Sequence, residues 1–209
     1  VFRSECDAEL TKKLYRAAPV LIDEGRADGN PWGIRFMTMF HMSNDSHLFA
    51  DAPGEGRLPL YEAKLIHQFD HRWATYGNDG NSRDVTLAEK ADPDFGVTPR
   101  YWVEESEVTQ RLVDKGWQNT WLMGWRDITN ATNERTVIAS VMPLSGVGHT
   151  LPLFMTGHPP RSVAALLANL DSLALDYIAR VKVGGTHLTY GYLKQFPVLS
   201  PGSYTDADL

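Results

Sequence analysis

Apolar residues recur along this chain at two spacings, and each spacing predicts a different kind of element. Residues 5–17 (ECDAELTKKLYRA) carry Ala8, Leu10, Leu14, Tyr15 and Ala17 at near-helical intervals and stop ahead of Pro19, which predicts a short amphipathic helix. The turn signal Asp28-Gly29-Asn30-Pro31 leads into residues 32–42 (WGIRFMTMFHM), whose Phe36, Met37, Met39 and Phe40 read as a buried strand. After the loop Asp51-Ala52-Pro53-Gly54-Glu55-Gly56, residues 58–69 (LPLYEAKLIHQF) alternate. That pattern puts Tyr61, Ala63, Leu65, His67 and Phe69 on one strand face and Glu62, Lys64, Ile66 and Gln68 on the other.

Residues 70–100 are polar, and Gly77-Asn78-Asp79-Gly80-Asn81 and Asp92-Pro93-Asp94 interrupt any regular element. So long a loop is read as functional or mobile, suited to draping over a partner. Ser106 is placed to cap a helix that runs through Asp114, with Gly116 just past its end. Strands are expected at 119–126 and 135–142. Residues 162–181 give the clearest helix: Ser162 caps it, Val163, Leu166, Leu167, Leu170, Leu173, Ala174, Tyr177 and Ile178 form its stripe, and Gly184-Gly185 ends it. A last short element ends at Pro197. The pattern as a whole predicts an α+β fold, a curved mixed or antiparallel sheet with a few packed helices.

Composition narrows the function classes. A chain of 209 residues, 43% of them hydrophobic, can bury a real core. The formal charge of −6 argues against strong non-specific nucleic-acid binding, which draws on phosphate neutralisation, although an acidic total can coexist with a basic cleft. The single cysteine, Cys6, closes no internal disulfide and builds no thiolate metal cluster, so the expected compartment is the cytoplasm. No apolar run approaches the roughly 18 residues of a membrane span, so no membrane partner is expected. The chain opens on Val1 without an initiator Met, which is read as the mark of a piece of a longer protein.

Residues 126–143 (RDITNATNERTVIASVMP) carry base-reading chemistry. Arg126 and Arg135 could each bridge two acceptors of a guanine, Asn130 or Asn133 could pair with an adenine edge, and Thr129, Thr132 and Thr136 suit phosphates or thymine methyls. An ordinary solvated turn has the same composition. A metal-dependent nuclease is echoed by Asp51, Glu62 and Lys64, although a surface ion pair explains the last two equally well. His67 with His71, and His41 with His47, raise zinc, but no third acidic ligand stands at a matching position. Asn30-Pro31-Trp32 lacks the second proline of an amino-methyltransferase loop. No Gly-rich cofactor loop and no Gly-x-Ser-x-Gly elbow is present. No catalytic constellation emerges.

Five stretches in order together resemble one family. They are NPWGIRFMTMFHMSNDSHLF (30–49), LPLYEAKLIHQFDHRWATY (58–76), PRYWV (99–103), WRDITNATNERTVIASVMP (125–143) and LLANLDSLALDYIARVKVGGTHLTYGYLKQFPV (166–198). They resemble the carboxy-terminal half of type II and type IIG restriction–modification adenine DNA methyltransferases, including large methylases of phage-defence systems. The resemblance implies that residues 1–209 are a target-recognition, TaqI-like specificity domain that binds double-stranded DNA beside a catalytic methyltransferase domain of the same parent protein. The parent would use S-adenosylmethionine; this segment would hold no cofactor and no metal, and would be non-catalytic alone.

The resemblance also places Asp70, His71 and Arg72 beside DNA at the end of a strand, and Arg100 and Tyr101 in a second motif. Arg126 through Thr136 would form the region that approaches bases or backbone. Gly184, Gly185, Thr186 and His187 would form a turn in which the missing side chains allow close backbone approach, to DNA or to a neighbouring strand. Packing is the rival reading throughout: Arg126 could pair with Asp127 or Glu134, and the glycines could serve only as a helix stop. A non-catalytic protein-interaction module is the remaining alternative.

Overall fold

A computed structural model describes residues 4–209. In chain order the elements are α1 (Glu5–Ala17), β1 (Arg35–Met37), β2 (Phe49–Ala50), β3 (Arg57–Tyr61), β4 (Ala74–Tyr76), β5 (Ser82–Asp84), α2 (Leu87–Ala91), β6 (Trp102–Glu104) and α3 (Glu105–Val113). They continue as β7 (Trp121–Trp125), β8 (Ala139–Pro143), β9 (Gly146–Val147), β10 (Leu153–Met155), α4 (Pro160–Leu170), α5 (Leu173–Lys182) and α6 (Tyr190–Lys194). The fold is α+β with mixed and antiparallel pairing, distributed over several small sheets. Two compact units divide the chain. One comprises Val1–Phe36, Asp127–Ile138 and Met155–Leu209, and the other Met37–Arg126 and Ala139–Phe154.

In the second unit, β7 pairs antiparallel with β8 from Trp121↔Pro143 to Trp125↔Ala139, and with β10 on its other edge at Leu153↔Gly124. Leu122, Met123 and Trp125 are all buried, as a strand covered on both faces requires. Gly124 permits the β10 approach: a Cβ there would lie 2.8 Å from the Pro152 carbonyl oxygen. Beside this, β6 lies between β2 and β3, antiparallel to both, and β3 runs parallel to β9 with Leu60 opposite Gly146.

The expected strand at 58–69 is shorter than its alternation suggested. It ends at Tyr61, a 3₁₀ turn follows at Ala63–Leu65, and the consecutive residues Leu65 and Ile66 are both fully buried, which a period of two does not allow. Phe69, expected on the inner face, is 61% exposed. Residues 70–100 also contain regular structure. β4 and β5 form an antiparallel hairpin, and Thr86 and Glu89 make the capping box of α2. The Arg72 guanidinium ties the segment together by donating to the carbonyls of Lys90 (2.8 Å), Asp92 (2.9 Å) and Phe95 (3.3 Å).

In the first unit the expected helix at 162–181 is two helices, α4 and α5, bent by 54° at Asp171-Ser172. The Ser172 side chain accepts from the Leu175 N–H and starts a new helix, so Leu173, assigned to the stripe, is exposed. Pro160, and not Ser162, opens α4. The strand expected at 32–42 is reduced to β1, because the Asn30 side chain brackets Ile34 through both its amide donor and its carbonyl (2.9 Å each) and Gly33 takes φ +56°. Trp32 is fully buried, donates its indole N–H to the Leu199 carbonyl, and packs edge-on to His158. α3 begins at Glu105 with no side-chain cap, so Ser106 lies inside it.

Candidate nucleic-acid interface

The loop after β7 is held from beneath by two side chains of α5. Asp176, buried, accepts from the backbone N–H of Thr136 (2.6 Å) and Val137 (2.9 Å) through Oδ1, and from Arg180 Nε (2.8 Å) through Oδ2. Arg180 also donates to the carbonyls of Ala131 (3.1 Å), Asn133 (2.7 Å) and Glu134. Within the loop, Thr129 Oγ1 donates to the Thr136 carbonyl at 2.7 Å, and Asn130 Oδ1 accepts from both the N–H and the hydroxyl of Thr132 at 3.0 Å. The loop is therefore braced by hydrogen bonds from within and from α5, while Thr132 and Asn133 are exposed and Asn130 and Arg135 half-buried.

The turn after α5 joins the same surface. Ile128 and His187 form an antiparallel bridge, Thr129 N–H donates to the Thr186 carbonyl (3.0 Å), and Leu188 N–H donates to the Asp127 carbonyl (2.7 Å). His187 Nδ1 lies 2.7 Å from Asp127 Oδ2. Two stretches about 50 residues apart are thus joined at 127–129 and 186–188, and Thr132, Asn133, Gly185, Thr186 and His187 within them are exposed. Three expectations change. Thr129 and Thr136 are interior residues that close the loop, and neither presents its hydroxyl to a phosphate. A Cβ at Gly184 or Gly185 would meet nothing within 4 Å, so no neighbouring strand requires glycine there.

The second unit carries His71, Arg72, Arg100, Tyr101 and Arg126. Arg126 donates through Nε (3.0 Å) and Nη2 to the Ile66 carbonyl, with Lys64 O at 3.5 Å, so it binds neither Asp127 nor Glu134. Burial pushes its guanidinium pKa down, with Asp84 opposing. Arg72 is spent on the three carbonyls already described, and its own N–H is capped by Asp70 at 2.8 Å. Burial also pushes the half-buried His71 imidazole down, aided by Arg72 and opposed by Asp70. For Asp70, burial disfavours ionisation, but the 2.5 Å contact from Lys90 and the Arg72 N–H outweigh it and hold the carboxyl below its ordinary range. Arg100 is exposed, with its guanidinium carbon 5.1 Å over the Tyr101 ring, and Tyr101 stacks on Phe49.

Two of the three nuclease residues, Glu62 and Lys64, are otherwise engaged. Glu62 accepts from the Tyr76 hydroxyl at 2.8 Å and lies 3.8 Å from Lys64, whose ammonium sits over the Tyr76 ring, while Asp51 is exposed. Among the described residues no group of three or more His, Cys, Asp or Glu converges as a metal site. His67 packs on Trp73, and His41 on His149.

No family model matches this chain, and no curated protein matches it either. The site is described by its geometry alone. That geometry adds residues the pattern did not single out: Asp176 and Arg180, whose signal was an acid inside an apolar helical stripe with a base four residues on, and Phe69, which the alternation hid.

Proposed function

We propose that this chain is a duplex-DNA specificity module, part of an S-adenosylmethionine-dependent adenine DNA methyltransferase or methyltransferase–restriction enzyme. Its partners are double-stranded DNA and the catalytic domain of that parent. The reading rests on the resemblance of the five ordered stretches, and one observation carries it further. The loop at 130–137 is pinned from beneath by Asp176 and Arg180, and the segment before it is bridged through Ile128 to His187, so that the exposed Thr132, Asn133, Thr186 and His187 and the half-buried Arg135 are carried on a hydrogen-bonded backbone. Amide, hydroxyl, imidazole and guanidinium groups on a rigid support are the equipment of base-edge and phosphate recognition. The segment itself supplies recognition, and the parent supplies methyl transfer.

Selection from a duplex pool with a randomised centre, followed by affinity measurement across salt, tests the reading. Duplex binding that weakens linearly in log K against log salt is expected. Arg135→Ala weakens it by about 1–3 kcal/mol if the guanidinium forks onto a base. Arg126→Ala acts differently, because Arg126 supports the 64–66 backbone: it lowers the unfolding midpoint, and any loss of affinity tracks the loss of folded protein. Enrichment of no sequence, together with no duplex binding at low salt, would overturn the reading.

A further inference from the structure

Phe69 is the one non-glycine residue with positive φ (+60°) among the described residues, and its side chain is 61% exposed. Both properties are unfavourable for a bulky aromatic: the left-handed region crowds its Cβ, and water gains nothing from the ring. Glycine or asparagine would relax the backbone at this position. The turn nevertheless holds Phe69 in place through several bonds. His67 N–H donates to the Asp70 carbonyl (2.7 Å) and Asp70 N–H to the His67 carbonyl (3.0 Å), while Phe69 N–H reaches the Ala139 carbonyl at 3.4 Å. The flanks are anchored as well, by His67 on Trp73 (4.3 Å) and by the Lys90–Asp70 ion pair. A strained conformation over-determined by its surroundings points to a use for the side chain it presents.

The chain neighbours of Phe69 (His67, Gln68, Asp70 and His71) are polar and half-buried, so the ring is the one exposed apolar group along this turn. Lys90 neutralises the adjacent acid, Asp70. A single exposed aromatic on a braced turn suits insertion into a base stack. We propose that Phe69 is a wedge residue whose ring stacks against a base at a step that opens in the bound duplex. This rests on the duplex-binding reading and deepens it.

The test uses the full chain and duplexes recovered from the randomised pool, with 2-aminopurine substituted at successive adenines. Wild type is expected to raise fluorescence at one step, reporting unstacking there. Phe69→Asn, which suits the left-handed backbone, is expected to melt at the same or a higher temperature. It should lose about five- to one-hundred-fold in affinity, together with the fluorescence rise. Phe69→Trp is expected to keep both. Unchanged affinity and fluorescence in Phe69→Asn would overturn the wedge while leaving duplex binding standing. A lower melting temperature in Phe69→Asn would overturn it by making the ring a structural support. Failure of wild type to bind any duplex would remove the wedge together with the function it serves.

Discussion

An arginine has five N–H donors, and where they go decides whether it can read a base. Arg126 and Arg135 look alike in the sequence, yet Arg126 is spent on backbone carbonyls while Arg135 lies half-buried at the loop surface. Residue type was legible; donor commitment was not, because Ile66 and Lys64 are some 60 residues from Arg126. His71 shows the same dependence on surroundings in its proton affinity. Burial, with Arg72 adding to it, holds its pKa below the ordinary 6.5, so the folded state binds fewer protons than the unfolded chain as pH falls past that value. Its contribution to stability is complete above pH 6.5 and is lost as pH drops toward the folded pKa. Asp70, also depressed, adds a loss in the same direction but only from its ordinary 3.8 downward. Urea denaturation at about pH 7.5 and about pH 5.5 should therefore show wild type losing stability and His71→Leu losing less. Equal losses would exclude His71 as the source.

At the scale of elements, period-based reading succeeded where an element runs unbroken and failed where the backbone turns beneath a continuing apolar pattern. α1 matches its predicted bounds, and β7 and β8 fall within or near theirs. The apolar stripe of α4 continues into α5 across a break made by a serine cap, and the apolar run from β3 continues into a 3₁₀ turn; neither event alters hydrophobicity, so neither left a mark in the pattern. The same region shows why α5 has a buried acid. Asp176 replaces the missing neighbours of the Thr136 and Val137 N–H groups and neutralises Arg180, which in turn satisfies three loop carbonyls. Removing the carboxylate strands both amides and leaves Arg180 without its counter-charge. Asp176→Ala is expected to cost about 3–5 kcal/mol, the range for breaking a buried pair, toward its lower end because Arg180 is 34% exposed. Asp176→Asn, which keeps an acceptor for the amides, should cost less. Urea midpoints of the two variants check this, and equal small losses would show that the loop holds its shape without the Asp176 carboxylate.

For the whole molecule, chain order and spatial order differ. Each unit is assembled from separated segments, and the acidic excess lies almost wholly in the second unit, so any grip on phosphates there must come from local cations such as Arg100 and Lys64. No pattern along the chain announces such an arrangement, since the segment 127–138 leaves one unit for the other between two strands that pair with each other, β7 and β8. The discontinuity has a measurable consequence. Residues 37–126 contain most of the second unit but lack β8, β9 and the part of β10 that pairs with β7, so β7 would lose both its neighbours and β3 its parallel partner. Leu122, Met123, Trp125 and Leu60, all buried, would then be left without cover. A fragment spanning 37–154 restores those strands and carries the 127–138 loop as an insertion. It is expected to unfold cooperatively in a thermal melt followed by circular dichroism, whereas 37–126 is expected to show no cooperative transition. Cooperative melting of the shorter fragment would mean that Ala139–Phe154 is not needed to complete this unit.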